Sequence, residues 1–138
     1  MTESGHSYRF PKKERLTGKK DIEELFKNGS SFYLHPLLVK YIVDSDAEYH
    51  SVLFTVSKKH FKKAVDRNLI KRRMREAYRL QKQILEGQER FYKLAFVYID
   101  KTIVPYSLIE PKLKKLLDRL KNQSSNRGKE IKATDKNK

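Results

Sequence analysis

Residues 64–85 carry the longest helical periodicity in the chain, and the two sides of that helix differ in kind. Val65, Ile70, Met74, Ala77, Gln81 and Ile84 recur near one face, and Leu69, Tyr78, Leu80 and Leu85 widen it. That is the stripe of a helix packed on a sheet. The segments flanking it read as strands: His50 to Ser57 (HSVLFTVS) and Arg90 to Asp100 (RFYKLAFVYID) are rich in β-branched and aromatic residues. A third such stretch, Phe32 to Asp44 (FYLHPLLVKYIVD), contains Pro36, which divides it into two strands or bends it into one bulged strand. Asp21 to Gly29 predicts a short helix with Ile22, Leu25 and Phe26 on one face, acids early for the macrodipole and Gly29 as its stop. A last helix follows Pro105, with Pro111 in its first turn and Leu113, Leu116, Leu117 and Leu120 spaced i, i+3, i+4, i+7. The expected order is α-β-β-β-α-β-α, an α+β sandwich of sheet and helices.

The other side of the central helix is cationic. Residues 58–82 hold eleven Lys or Arg against Asp66 and Glu76, so this stretch supplies +9 of a formal net charge of +15. Asn68, Lys71, Arg72, Arg75, Arg79 and Lys82 share one helix face, expected opposite the apolar stripe. A solvated face normally mixes acids with bases, whereas like charges at i, i+4 cost roughly 0.2–0.5 kcal/mol per pair. An anionic partner relieves that cost, and the arginine forks suit phosphate or base stacking. The preceding loop, Ser57 to Lys63, adds Lys58, Lys59, Lys62 and Lys63 beside the helix amino terminus, where backbone N–H groups also favour phosphate.

Other chemistry is poorly supplied. The absence of cysteine excludes disulfides, a thiolate nucleophile and Cys-ligated metal, and fits a reducing compartment. His6, His35, His50 and His60 show no metal-ligand spacing and read as surface or turn residues, and Asp44, Asp46 and Glu48 read as a polar turn. Tyr92, Phe96 and Tyr98 share strand parity and are assigned to the core. No apolar run approaches the roughly 20 residues of a membrane span and the amino terminus lacks a signal-like stretch, so the expectation is a soluble, cytoplasmic protein. Residues 1–8 and 122–138 lack the periodicity to offset their ordering entropy and are expected to be disordered, leaving 9–121 as the single folded domain.

The run VSKKHFKKAVDRNLIKRRMREAYR, positions 56–79, resembles the signature of the bacterial ribonuclease P protein subunit: a Lys-Lys loop, Arg-Asn-Arg, then Lys-Arg and a further Arg one turn on. Here these fall on Lys58, Lys59, Arg67, Asn68, Lys71, Arg72 and Arg75. The block ERLTGKKDIEELFKNG, positions 14–29, resembles the family's opening Arg-Leu…Phe…Gly segment. Leu69 stands where the third residue of the Arg-Asn-Arg core is usually Arg, and Ile22 and Lys40 stand where the family usually has aromatics. The resemblance implies a four-stranded mixed sheet with a left-handed βαβ crossover, as in a ribosomal-protein-like domain, against the usual right-handed rule. It implies partnership with a catalytic RNA subunit that cleaves precursor tRNA, with Mg²⁺ bound mainly by the RNA and the substrate, and with no catalytic residue in the protein. It also implies a cleft containing Phe26 and Lys40 for the 5′ leader, with Lys58, Lys59, Lys62, Lys63, Arg67, Asn68, Lys71, Arg72, Arg75 and Arg79 on RNA. A general or ribosomal-protein-like RNA-binding domain without a role in catalysis is the alternative, and a metal-dependent protein nuclease is disfavoured by the lack of converging acids.

Overall fold

A computed structural model describes residues 10–125. Its elements are α1 (Lys19–Asn28), β1 (Ser30–Leu34), β2 (Leu37–Val43), β3 (Ser51–Val56), α2 (Ala64–Gln81), β4 (Tyr92–Tyr98) and α3 (Tyr106–Ser125), with 3-10 turns at Lys12–Glu14 and Lys82–Leu85. The expected α+β order is therefore present. The strands form one mixed sheet in the order β1-β2-β4-β3. Pro36, after a cis peptide bond, sits in the turn between β1 and β2, so the divided reading of that stretch is the correct one. β2 and β4 are antiparallel, whereas β3 and β4 are parallel neighbours joined through α2.

Alternation along the strands assigns their two faces. Leu37, Val39 and Tyr41 of β2, Val52, Phe54 and Val56 of β3, and Tyr92, Leu94, Phe96 and Tyr98 of β4 form one buried cluster. Ile70, Met74, Ala77 and Tyr78 of α2 and Ile109, Leu113, Leu116, Leu117 and Leu120 of α3 belong to the same cluster. The strand aromatics Tyr92, Phe96 and Tyr98 are thus core residues, as expected. On the opposite face Leu16, Leu25 and Ala95 form a second, smaller cluster with Ile22, Ile42 and Leu53 against it, which places α1 there. Lys93 pins α1 to β4, its Nζ lying 3.0 Å from Asp21 Oδ1 and 3.3 Å from Glu24 Oε1. Asp21 in the first turn and Glu24 in the second therefore do more than complement the macrodipole. The hydrogen bond to Asp21 leads the interactions that raise the Lys93 pKa.

Several expectations require correction. Val65 is 75 % exposed and Leu80 40 % exposed. At about 100° per residue they lie roughly 180° and 120° from Met74 around the helix, outside the stripe centred on Ile70, Met74, Ala77, Tyr78 and Gln81. α2 ends at Gln81, and its expected last turn is 3-10. α3 starts before the position that would put Pro111 in the first turn, so Pro111 lies inside the helix. Pro111 and Ser107 are exposed, and water can satisfy the carbonyl left without an amide donor there. α3 also runs to Ser125, past the expected boundary at Lys121, and Tyr41 Oη donates to Gln123 Oε1 at 2.7 Å in that added turn. Residues 1–9 and 126–138, and His6 among them, lie outside the described residues.

Candidate nucleic-acid interface

Packing dictates where the cations of α2 can go. With Met74 at the centre of the buried stripe, Lys71, Arg75 and Lys82 lie about 60–100° round the helix, and Asn68, Arg72 and Arg79 about 120–160°. The rail therefore starts on the flank of the apolar stripe, with Lys71, Arg75 and Lys82, and only Asn68, Arg72 and Arg79 reach the side that opposes it. Lys71 and Arg75 are half-buried, while Asn68 and Arg72 are exposed. Leu69 lies on the other flank with Arg73, whose Nη1 donates to Val104 O at 2.6 Å and ties α2 to the approach of α3.

The lysine loop is held by its one buried residue. Phe61 is 6 % exposed and packs with its ring centroid 5.9 Å from that of Tyr98. Its N–H donates to Ser57 O at 3.1 Å, and the Lys59 N–H donates to Ser57 Oγ at 3.1 Å. This anchorage leaves Lys58, Lys59, Lys62 and Lys63 exposed beside the start of α2. Arg67 joins loop to helix: its Nη1 donates to Phe61 O at 2.7 Å and to Lys62 O at 2.9 Å. A residue singled out for an RNA contact thus also shapes the surface that carries its neighbours.

Arg15 is the residue that sequence reasoning missed. The Leu16 N–H donates to Val52 O at 2.8 Å and Arg15 bridges Val52, so the segment before α1 runs along the outer edge of β3. Burial lowers the Arg75 pKa most, and repulsion from Arg15 and Arg72 lowers it further. Three guanidinium groups from two separate segments therefore share one electropositive locus. Nothing in the local spacing of Arg15 announces this, because a strand-edge pairing brings it there.

The carboxyl end of the rail differs. Arg79 grips Glu76 through Nε–Oε1 at 3.1 Å and Nη2–Oε2 at 2.7 Å, and Lys82 Nζ lies 2.9 Å from Glu14 Oε1. The expected unneutralised ridge is thus strongest from the lysine loop to Arg75 and is met by carboxylates beyond it. The Arg79–Glu76 pair sits at the surface, where such pairs contribute little and a phosphate can compete for the arginine.

Phe26 and Lys40 share the side of the sheet that carries α1. Phe26 is 40 % exposed. Lys40 alternates with Leu38 and Ile42 along β2 and is half-buried. Tyr33, 57 % exposed, has the same parity by its pairing with Leu38 and adds an aromatic to that face. Ile22 packs between α1 and the sheet, in the cluster of Leu25 and Ala95. Among the described residues no group of three or more His, Asp or Glu gathers to hold a metal, and no helix is long and apolar enough to cross a membrane. His50, expected at the surface or in a turn, is part-buried: its Nδ1 accepts the Tyr92 N–H at 3.0 Å and its Nε2 donates to Leu85 O at 3.3 Å.

Known proteins resemble this chain in sequence and in fold. The family model described as Ribonuclease P matches residues 10–121. The ribonuclease P protein component of Porphyromonas gingivalis is 38 % identical over 115 residues, covering 79 % of this chain and 84 % of that one. The solved RNase P protein from Thermotoga maritima superposes with a TM-score of 0.65 at 26 % identity, over 77 % of this chain and 96 % of that one. That of Staphylococcus aureus shares the fold with a TM-score of 0.65 at 22 % identity, over 78 % and 94 % of the two chains. Since the matched region runs from the buried Phe10 through all seven elements to the last turns of α3, the chain belongs to the ribonuclease P protein family.

Proposed function

We propose that this chain, as the protein component of the ribonuclease P endoribonuclease, docks on the RNA subunit through the lysine loop and the Arg15, Arg72 and Arg75 locus, and holds the 5′ leader of precursor tRNA in the cytoplasm. The convergence of those three arginines supports this reading best, since it is electrostatically unfavourable until an anion joins it. The protein's work is binding and placement. Lysines and arginines screen phosphate repulsion between two RNAs, and the face holding Phe26, Tyr33 and Lys40 offers rings for unstacked bases and one cation for the backbone. Among the described residues no three acids or histidines gather as a metal cage would require. Mg²⁺ is assigned to the RNA and its substrate, where it supplies the activation of water for hydrolysis.

Reconstitution tests the proposal. Adding the protein to its RNA subunit is expected to lower the Mg²⁺ concentration needed to release the leader from precursor tRNA. An unchanged Mg²⁺ requirement refutes the proposal. In the same assay Phe26→Ala is expected to weaken binding of precursor tRNA more than that of mature tRNA; equal losses would remove Phe26 from the leader site.

A further inference from the structure

Where the 3-10 turn after α2 meets the start of β4, the surface opens into a cavity of about 380 Å³, within the usual range for small-molecule sites. Its walls include the rings of Tyr49, His50 and Phe91, and its polar groups include Glu14, Lys82 and Glu86. His50 is held in the aromatic wall by its neighbours. His50 stacks on Tyr92 with centroids 5.7 Å apart and meets Phe91 edge-on at 5.2 Å, while its two nitrogens are engaged by Tyr92 N–H and Leu85 O. At the rim Lys13 Nζ lies 5.1 Å from the centroid of the Tyr49 ring.

Two carboxylates inside make the cavity unsuitable for phosphate, and an organic cation would meet an ammonium already placed at Glu14 on a chain of net charge +15. A flat, neutral heterocycle with adjacent N–H donors and a carbonyl suits it better. Guanine has that edge: N1–H and N2–H can donate to the two oxygens of Glu14 while O6 accepts from Lys82. Cytosine presents its carbonyl with only one such donor group. Lys82 is the first residue of the 3-10 turn after α2 and directly follows the cationic helix in the chain, so the cavity lies at the carboxyl end of that helix. We propose that the cavity takes one unstacked guanine of a bound RNA strand, stacked against Tyr49 or Phe91 and read by Glu14 and Lys82. The proposal rests on the RNA-binding reading above and assigns to it a base-specific contact.

The test is a titration of the isotopically labelled full-length protein with guanosine 5′-monophosphate, read by NMR, beside parallel titrations with the adenosine and uridine monophosphates, guanosine and spermidine. The guanine compounds are expected to shift the resonances of Tyr49, His50 and Phe91, with about fivefold or greater preference over adenine and uracil, the low end for a bidentate base contact. Glu14→Gln is expected to abolish the preference, and Tyr49→Ala to weaken all base binding, in proteins whose thermal unfolding shows them folded. Shifts confined to the lysine loop and Arg72, equal response to all bases, silence with phosphate-free guanosine, or tighter binding of spermidine would each overturn the proposal. Affinity of the same protein for the RNA subunit is measured alongside. If the RNA binds while the cavity stays silent, only the guanine assignment falls; if the RNA fails to bind, the broader reading falls with it.

Discussion

At the residue scale, Arg72 and Arg75 show how burial and charge act together. Arg72 is exposed while Arg75 is half-buried beside it and Arg15. Replacing either by Ala is expected to weaken binding of the RNA subunit and to reduce the log–log salt slope by about 0.7–0.9 for each phosphate that the variant no longer neutralises. Filter binding across a salt series checks this, and an unchanged slope moves that side chain off the interface. His50 makes a different prediction. Burial lowers its pKa below the ordinary 6.5, and the Tyr92 N–H it accepts requires an unprotonated Nδ1. The unfolded chain therefore takes up a proton that the folded ring resists. Its contribution to stability is complete above about pH 6.5 and is lost as pH falls through that value toward the lowered pKa. Between about pH 7.5 and 5.5 the urea midpoint of the natural protein is expected to fall more than that of His50→Gln. Parallel pH profiles for the two proteins would remove His50 from this role.

At the scale of elements, the close approach of α1 to the sheet governs the face that carries Phe26, Tyr33 and Lys40. Gly29 ends α1, and a methyl group there would lie 2.5 Å from Leu25 O and 3.0 Å from Tyr41 O. Both obstacles are backbone, so neither side yields without moving the helix or β2. Gly29→Ala is expected to cost about 1–3 kcal/mol, the usual range for overpacking, read as a lower urea midpoint. A midpoint equal to that of the natural protein would show that α1 shifts freely. Lys93 holds the same helix from beneath through Asp21 and Glu24. The periodicity of residues 21–29 is enough to predict a short amphipathic helix, but the attachment of α1 depends on residues far apart in the chain.

At the scale of the whole molecule, a net charge of +15 over 138 residues stores repulsion that a polyanion releases. Adding the RNA subunit, or a homopolymeric RNA at low salt, is expected to raise the thermal midpoint in proportion to the logarithm of ligand concentration above Kd. The rise should shrink for the Arg72→Ala, Arg75→Ala double variant. A midpoint insensitive to RNA in differential scanning fluorimetry would mean that the cationic locus carries no binding energy. The helix that carries this charge is also structural: α2 closes the large core together with α3, and α1 packs alone on the opposite face of the sheet.

The sequence by itself determined the order of helices and strands, the parity of Tyr92, Phe96 and Tyr98, and the gathering of cations on α2, because each follows from spacing within one segment. It could not determine that Arg15 joins Arg72 and Arg75, that Glu14 meets Lys82, or that His50 locks β4 to the turn after α2. Those contacts join residues from separate segments, and the sheet pairings and packing that bring them together arise only when the whole chain folds.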